Sequence, residues 1–372
     1  MSKLTRYKLS DLYEMSSGIS STKEQAGHGY PFVSFSTVFN NFFLPEELPD
    51  LMDTSSKEQE TFSVKKDDVF ITRTSETVDA LAMSCVAVKD YPKATFSGFV
   101  KRLRPKKEGI VYSRYIAFFL RSKYFRKVLD CNTIMTLRAS FNEDIFSFLY
   151  LYLPNYEEQV RIGDFLYKIE MKIRKNNKIN DNLEQQMHLI FENMMSKATT
   201  HKLPGKYTIA QNLTSVVTGK EDANFSVTNG KYKFFTCSNT PLLCDDYVFD
   251  SSSILIAGNG DFNVKHYSGR FNAYQRTYVL TPDKKYFALL YLASLYRINS
   301  FKSRSSGSIV KFITKSDVEN IPVFIPNDIS YLQELNKLIY LQEQNKLENE
   351  LLIKLRDWLL PMLMNGQATI SD

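Results

Sequence analysis

A chain of 372 residues that is 43% hydrophobic and 13% aromatic is long and apolar enough for two medium domains, which excludes a disordered polymer. No apolar run approaches membrane-spanning length and Met1 to Gly18 lacks the core of a secretory signal, so a cytoplasmic protein with no membrane partner is expected. The net charge is a modest +6, and four cysteines (Cys85, Cys131, Cys237, Cys244) and four histidines (His28, His188, His201, His266) show no metal-ligand spacing, which predicts reduced thiols and no bound metal.

The first globular stretch, residues 1–154, opens with Tyr7-Lys8-Leu9 through Gly18-Ile19 and continues with the strand-forming run Tyr30-Pro31-Phe32-Val33-Ser34-Phe35. Asp67 to Thr74 reads as an apolar strand running into a small polar turn; Phe96-Ser97-Gly98-Phe99 then leads to a helical pattern over Tyr115 to Arg126. A polar loop, Thr133 to Ser140, precedes a last strand and the stop Leu153-Pro154-Asn155.

Residues 155–198 carry an almost uninterrupted helical pattern. Ile162, Leu166, Ile169, Ile173, Asn176, Asn180, Leu183, Met187, Ile190 and Met194 step alternately by four and three, the seam of a coiled coil with two central asparagines. Glu157 and Glu158 sit where the helix dipole favours negative charge.

Residues 199–327 repeat the first stretch. Tyr207-Thr208-Ile209 through Gly219-Lys220 answers the opening, Tyr232 to Thr236 the first strand, Ser253 to Gly260 the segment Asp67 to Thr74, and Phe271-Asn272-Ala273-Tyr274 the segment Phe96 to Phe99. A helical pattern over Tyr286 to Asn299, a polar loop over Ser303 to Lys311 and the stop Ile325-Pro326-Asn327 complete the parallel. Strands, then helix, then strand, occurring twice at this length, predict a duplicated α+β domain. A second rod, residues 328–366, follows with seam positions Leu338, Leu341, Asn345, Glu348, Leu352, Leu355, Leu359 and Met362; 367–372 are a tail. If the rods pair antiparallel, their polar layers meet; self-association between two copies is the competing arrangement.

Charge is uneven. Between Lys89 and Arg138 lie Lys93, Lys101, Arg102, Arg104, Lys106, Lys107, Arg114, Arg121, Lys123, Arg126 and Lys127, opposed only by Asp90, Glu108 and Asp130. Between Lys265 and Lys315, Arg270, Arg276, Lys284, Lys285, Arg297, Lys302, Arg304 and Lys311 face a single acid, Asp283. A basic half in each domain points to two surfaces for a polyanion. Catalysis has little to stand on: Gly219-Lys220 is followed by Glu221, so no phosphate-binding loop exists there, and Gly258-Asn259-Gly260-Asp261 lacks the dinucleotide fingerprint. Ser20 to Lys23 matches Ser-x-x-Lys without supporting residues, and adjacent Asp67 and Asp68 on a strand would point to opposite faces. No nucleophile, base and orienting group assemble.

The whole pattern resembles the specificity subunit of type I restriction-modification systems. Pro154-Asn155-Tyr156-Glu157-Glu158-Gln159-Val160-Arg161-Ile162 is similar to that family's Pro-x-x-x-Glu-Gln-x-x-Ile start of its first conserved helix, and Leu359-Leu360-Pro361-Met362-Leu363-Met364-Asn365-Gly366-Gln367 to its usual close of the second. Pro326-Asn327-Asp328-Ile329-Ser330-Tyr331 departs from it by lacking the Glu-Gln pair. The resemblance implies an α+β fold of two repeated target-recognition domains joined by two long antiparallel coiled-coil helices with pseudo-two-fold symmetry. Each domain would read half of a bipartite site in double-stranded DNA. The helix pair would set the gap and dock two methyltransferase subunits, with restriction (translocase and nuclease) subunits joining later. S-adenosylmethionine, ATP and Mg would be bound by those partners, leaving this chain without cofactor or catalytic role. Base readers should lie on polar turns within the basic regions: Thr72, Arg73 and Thr74; Arg138 with Ser140; Asn259; Arg304 with Ser305 and Ser306. Arg102, Arg104, Arg270, Arg276 and Lys311 complete the DNA-binding candidates. A plain loop role competes for each, and a coiled-coil adaptor for an acidic protein is the alternative function.

Overall fold

The computed structural model describes residues 4–20, 22–75, 81–132, 139–260, 262–304 and 312–370. The chain forms two compact units, Met1–Ile173 with Leu351–Asp372, and Arg174–Glu350.

The first unit is clasped by its own ends: strand Thr5–Lys8 runs antiparallel to Tyr150–Leu153, Thr5 opposite Leu153 and Lys8 opposite Tyr150. Within the clasp lies an antiparallel sheet in the order Tyr13–Ser17, Val100–Pro105, Val69–Thr72, Ser84–Val86. Beside it, Ala26–Val33 pairs with Asp50–Met52 and, in parallel, with Thr95–Phe96. Val69–Thr72 is buried at every position, as an unbroken apolar run requires when both faces are covered. Alternation sorts its side chains. Val69 and Ile71 pack with Tyr115, Ile116, Phe118 and Phe119 of helix Ser113–Phe119, while Phe70 packs on the other side with Val33, Val38 and Phe96.

The second unit has the same clasp, Gly205–Ile209 antiparallel to Pro322–Pro326 with Gly205 opposite Pro326. Its main sheet is six-stranded: Val216–Thr218, Thr277–Leu280, Phe249–Ala257, Val264–Ala273, Tyr232–Phe235, Leu242–Cys244. Helix Phe287–Arg304 covers one face, burying Ala288, Leu289, Leu290 and Leu292 against Ile254, Ile256 and Leu280. Strand registers define equivalent positions in the two units. Thr72 is opposite Val100, and Ala257 opposite Thr277; Val33 runs parallel to Phe96, and Phe235 to Ala273. Thr72 therefore corresponds to Ala257 and Phe96 to Ala273. The sequence parallel is displaced by one residue at the first place and by two at the second.

Two long helices follow the clasps, Tyr156–Thr199 and Ser330–Met364. In the second unit they pair antiparallel: Asn176 Nδ2 donates to Asn349 Oδ1 at 2.9 Å and to Glu348 Oε2 at 2.7 Å, while Asn345 Nδ2 donates to Asn180 Oδ1 at 2.9 Å. In the first unit Arg356 Nη1 donates to Glu170 Oε2 at 3.0 Å, an ion pair in which both side chains are nearly buried. The central helix buries Ile162, Leu166, Ile169, Ile173, Asn176, Asn180, Leu183, Met187 and Met194, with Ile190 half-buried. The closing helix differs from expectation. Leu338 is buried and Asn345, Glu348, Leu352, Leu359 and Met362 are half-buried, but Leu341 and Leu355 are 40% and 41% exposed. The seam passes through Gln342 and Arg356 instead, because Asn180 and Glu170 supply polar groups that only polar side chains can meet.

The start of the central helix shows what its Glu-Gln pair does. Gln159 is buried; its Oε1 accepts from the Tyr112 amide at 3.0 Å and its Nε2 donates to the carbonyls of Ile110 (3.0 Å) and Pro154 (2.9 Å). One turn on, a Cβ at Gly163 would stand 2.7 Å from the Tyr115 amide, so only glycine lets helix Ser113–Phe119 approach this closely. The second unit moves the clamp along its helix. Asn336 Oδ1 accepts from the Ala288 amide at 3.1 Å and Nδ2 donates to the Lys285 carbonyl at 2.9 Å, holding the start of helix Phe287–Arg304. The closing helix ends at Gly366, whose φ of +72° favours glycine, with the Gln367 and Ala368 amides returning to the Met362 carbonyl.

Candidate nucleic-acid interface

In each unit four separate segments are stitched by three backbone hydrogen bonds at one end of the sheet. In the first, the Arg73 amide donates to the Phe99 carbonyl (2.9 Å), the Phe141 amide to the Arg73 carbonyl (2.8 Å), and the Gly98 amide to the Ile19 carbonyl (2.7 Å). In the second, the Gly258 amide donates to the Arg276 carbonyl (2.8 Å), the Ile313 amide to the Gly258 carbonyl (2.7 Å), and the Gln275 amide to the Glu221 carbonyl (2.9 Å). The two tips share one wiring scheme, so the parts meeting there are equivalent: Arg73 with Gly258, Phe99 with Arg276, Phe141 with Ile313.

The first tip gathers several candidates. Arg73 is exposed, its Nη1 only 3.5 Å from the Gly98 carbonyl, and Thr74 and Ser140 are half-buried and pair across a short two-strand ribbon. Thr72 is a correction: it is fully buried, with Oγ1 accepting from the Met83 amide at 2.9 Å, and cannot reach a base. Beneath the tip, Lys101 Nζ donates to Ser17 Oγ at 2.8 Å; burial, and then the charge of Arg73, lower its pKa. A second cation is thus held close behind the surface arginine.

At the second tip Asn259 is half-buried and Arg276 exposed; among the described residues no hydrogen bond or ion pair holds the Arg276 guanidinium. The Cys237 thiol lies 3.6 Å from the Arg276 carbonyl, and Asn263 Nδ2 donates to the Cys237 carbonyl at 2.8 Å. Lys265 Nζ donates to the carbonyls of Thr236 and Ser238, and burial lowers its pKa. Arg270 is exposed but engaged elsewhere, by Asp250 at 3.1 Å and over the Tyr247 ring at 4.9 Å. Arg138, Ser305, Ser306, Lys311 and the side chain of Arg304 lie outside the described residues.

Much of the first basic run faces inward. Arg102 is buried and donates to the Ser63 carbonyl at 2.7 Å; Arg104 grips both oxygens of the fully buried Asp68, at 2.7 and 2.6 Å. Arg121 donates to the carbonyls of Ser84, Val38, Phe39 and Asn41, and Arg126 to those of Leu81, Ala82 and Leu120. A guanidinium offers five donors in a fixed plane, which suits it to collecting loop carbonyls that no strand satisfies. Arg102 is therefore architectural, a second correction, while Arg104 stays partly exposed beside its bond to Asp68. Phe99 and Phe312 were passed over in the sequence; both are exposed at the tips. Their signal was an aromatic directly beside a polar turn inside a basic run. Among the described residues no group of three or more histidine, cysteine or acidic side chains is placed to hold a metal, and no helix is long and apolar enough to cross a membrane.

Comparison with known proteins agrees with this duplicated layout. Residues 1–185 and 206–356, more than half of the chain, match the family described as the type I restriction modification DNA specificity domain. Over 164 residues the chain is 35% identical to the type I restriction enzyme EcoDI specificity subunit of Escherichia coli, a stretch that takes in 42% of this chain and 37% of the length of that relative. Its fold is similar to the crystal structure of the S subunit of a type I restriction-modification system from M. genitalium, with a TM-score of 0.65 at 14% identity over 97% of this chain and 96% of the other. Two family segments, each covering a clasped α+β unit and part of the helix that follows it, settle the assignment: the chain belongs to the type I restriction modification DNA specificity domain family.

Proposed function

We propose that this chain is the sequence-reading subunit of a type I restriction-modification complex, in which each unit reads one half of a bipartite site in double-stranded DNA. The observation that carries this reading is the recurrence of one stitched tip in both units, each presenting an exposed arginine, Arg73 or Arg276, with a lysine behind it. Cations at such a tip neutralise phosphates, while arginine and asparagine can also pair with guanine and adenine edges. The helix pair sets the gap between half-sites and docks two methyltransferase subunits; the exposed apolar row Leu351, Leu355 and Trp358 of the closing helix supports such docking. Adenine methylation with S-adenosylmethionine, and ATP- and Mg-dependent translocation and cleavage, reside in the partner subunits, and the complex works in the cytoplasm. This chain supplies selection and no chemistry of its own.

The test is domain exchange. Replacing residues 5–154 with the corresponding unit of another specificity subunit should change one half of the methylated motif and leave the other half and the gap intact. A change in both halves, or in neither, would contradict the reading. An adaptor for an acidic protein would instead lack steeply salt-dependent binding to duplex DNA.

A further inference from the structure

Each tip pairs its exposed arginine with an exposed phenylalanine, and the two units draw these residues from different segments. In the first unit the arginine directly follows a strand (Arg73) and the phenylalanine sits on the turn (Phe99, 66% exposed). In the second the arginine sits on the turn (Arg276), and the phenylalanine comes from the returning segment (Phe312, 60% exposed). A lone exposed apolar residue needs no explanation. Here the same two chemistries recur on one backbone frame from non-equivalent positions, which inherited structure alone does not produce.

Backbone hydrogen bonds pin the chain at Phe99 and directly after Phe312. The turn bearing Phe99 is fixed by Phe99 N to Ser97 Oγ (3.2 Å), Val100 N to the Ser97 carbonyl (2.9 Å), and the bond from Arg73 to its own carbonyl. Phe312 precedes Ile313, whose amide is bound by Gly258 and whose carbonyl accepts from the Tyr278 hydroxyl at 2.8 Å; Thr314 then caps the next helix. Their rings are therefore presented to solvent with little backbone entropy left to lose on binding. Cations interleaved with a rigid aromatic fit a polyanion that also offers apolar faces, which describes a nucleic acid and not an acidic peptide.

We infer that Phe99 and Phe312 are specificity-determining residues of the two tips, each making apolar contact with a base while the neighbouring arginine fixes the phosphate or a base edge. This rests on the sequence-reading role proposed above. The contact can take the form of packing on a thymine methyl or of a wedge that partly unstacks a base step.

The experiment measures binding of the full chain, at one fixed salt concentration, to its own bipartite duplex and to all single-base-pair variants of it. Phe99→Ala should weaken cognate binding about tenfold, leave non-specific binding unchanged, and flatten discrimination at one or two positions of one half-site only. Phe312→Ala should do the same in the other half. Phe148→Ala, which removes an exposed phenylalanine (70%) of the first unit away from the tip, should behave as wild type, and thermal melts should show all three variants folded. Thymine-to-uracil replacement identifies a methyl contact, and 2-aminopurine fluorescence identifies unstacking; either result lost in the alanine variant supports the inference. Unchanged discrimination in both variants, or an equal loss on every sequence, overturns it. If wild type itself prefers no bipartite duplex, the sequence-reading role falls first and this inference with it.

Discussion

Asn345 donates its amide hydrogen to Oδ1 of Asn180 at 2.9 Å across the helix pair of the second unit, one layer from the contact between Asn176 and Asn349. Buried amides in an apolar seam trade stability for register, since any slip would strand them without partners. Asn345→Leu alone should destabilise the second unit by roughly 1–3 kcal/mol, because it leaves a buried acceptor unsatisfied. Leucine at both Asn180 and Asn345 should recover or raise the melting temperature while admitting more than one register, which cross-linking and mass spectrometry can count. A double variant that is both less stable than wild type and uniquely registered would contradict this account.

Gln159 and Asn336 do the same work in different units, each satisfying a backbone amide and a carbonyl where the next helix begins. Loss of the Glu-Gln pair at the second helix is thus compensated one turn further on. Alanine at either position should cost about 1–3 kcal/mol. Hydrogen exchange should rise near Ile110 to Tyr112 for Gln159→Ala, and near Lys285 to Ala288 for Asn336→Ala. Indifference of Asn336→Ala would show that the second unit is held by other means.

Arg104 and Arg276, similar in the sequence, should separate by experiment. Arg104→Ala strands the buried Asp68 carboxylate and should lower stability by roughly 1–3 kcal/mol, with base discrimination retained by the folded fraction. Arg276→Ala should leave the melting temperature unchanged. If Arg276 reads a base, it should cost about 1–3 kcal/mol at a single base pair. A uniform loss across sequences would reassign it to phosphate binding.

Glu343 adds a pH dependence to the second unit. Burial pushes its carboxyl up, but the hydrogen bond and charge of His266 (3.1 Å), the bond from Ser268 (3.0 Å) and the charge of Lys346 outweigh burial and hold it below the ordinary range. A carboxyl depressed in the folded state takes up protons more readily when unfolded. Its stabilisation is present above the unfolded value of about 4.3 and disappears as pH falls through the folded value. Melts between roughly pH 6 and pH 3 should show a falling acid limb that Glu343→Gln flattens. An identical limb in both proteins would assign the acid sensitivity to other carboxylates.

The duplication and the central seam were legible because both rest on short-range patterns: strand-forming runs in a fixed order, and a four-three step that only one phase satisfies. The closing helix was less legible. Leu338, Ile339, Leu341, Leu347, Leu351, Leu352 and Leu355 make it apolar around much of its circumference, so two phases fit, and the choice is made by Asn180 and Glu170 on the other helix. Arginines of the first basic run looked like a DNA surface because charge is visible in a sequence while the loop carbonyls they bind are not. The tip residues were obscured by register. Four residues of strand at Val69–Thr72 correspond to part of a nine-residue strand at Phe249–Ala257, so equivalent turns fall one or two residues apart from the sequence parallel.

A base-resolution map of adenine methylation in the native host, with and without this gene, would show whether the chain selects the methylated sequence. Deletion should remove one bipartite, gapped motif and leave every other methylated motif in place, and the motif's two halves should respond separately to changes at the tips around Arg73 and Arg276. An unchanged map, with the neighbouring methyltransferase shown to be expressed, would contradict that expectation.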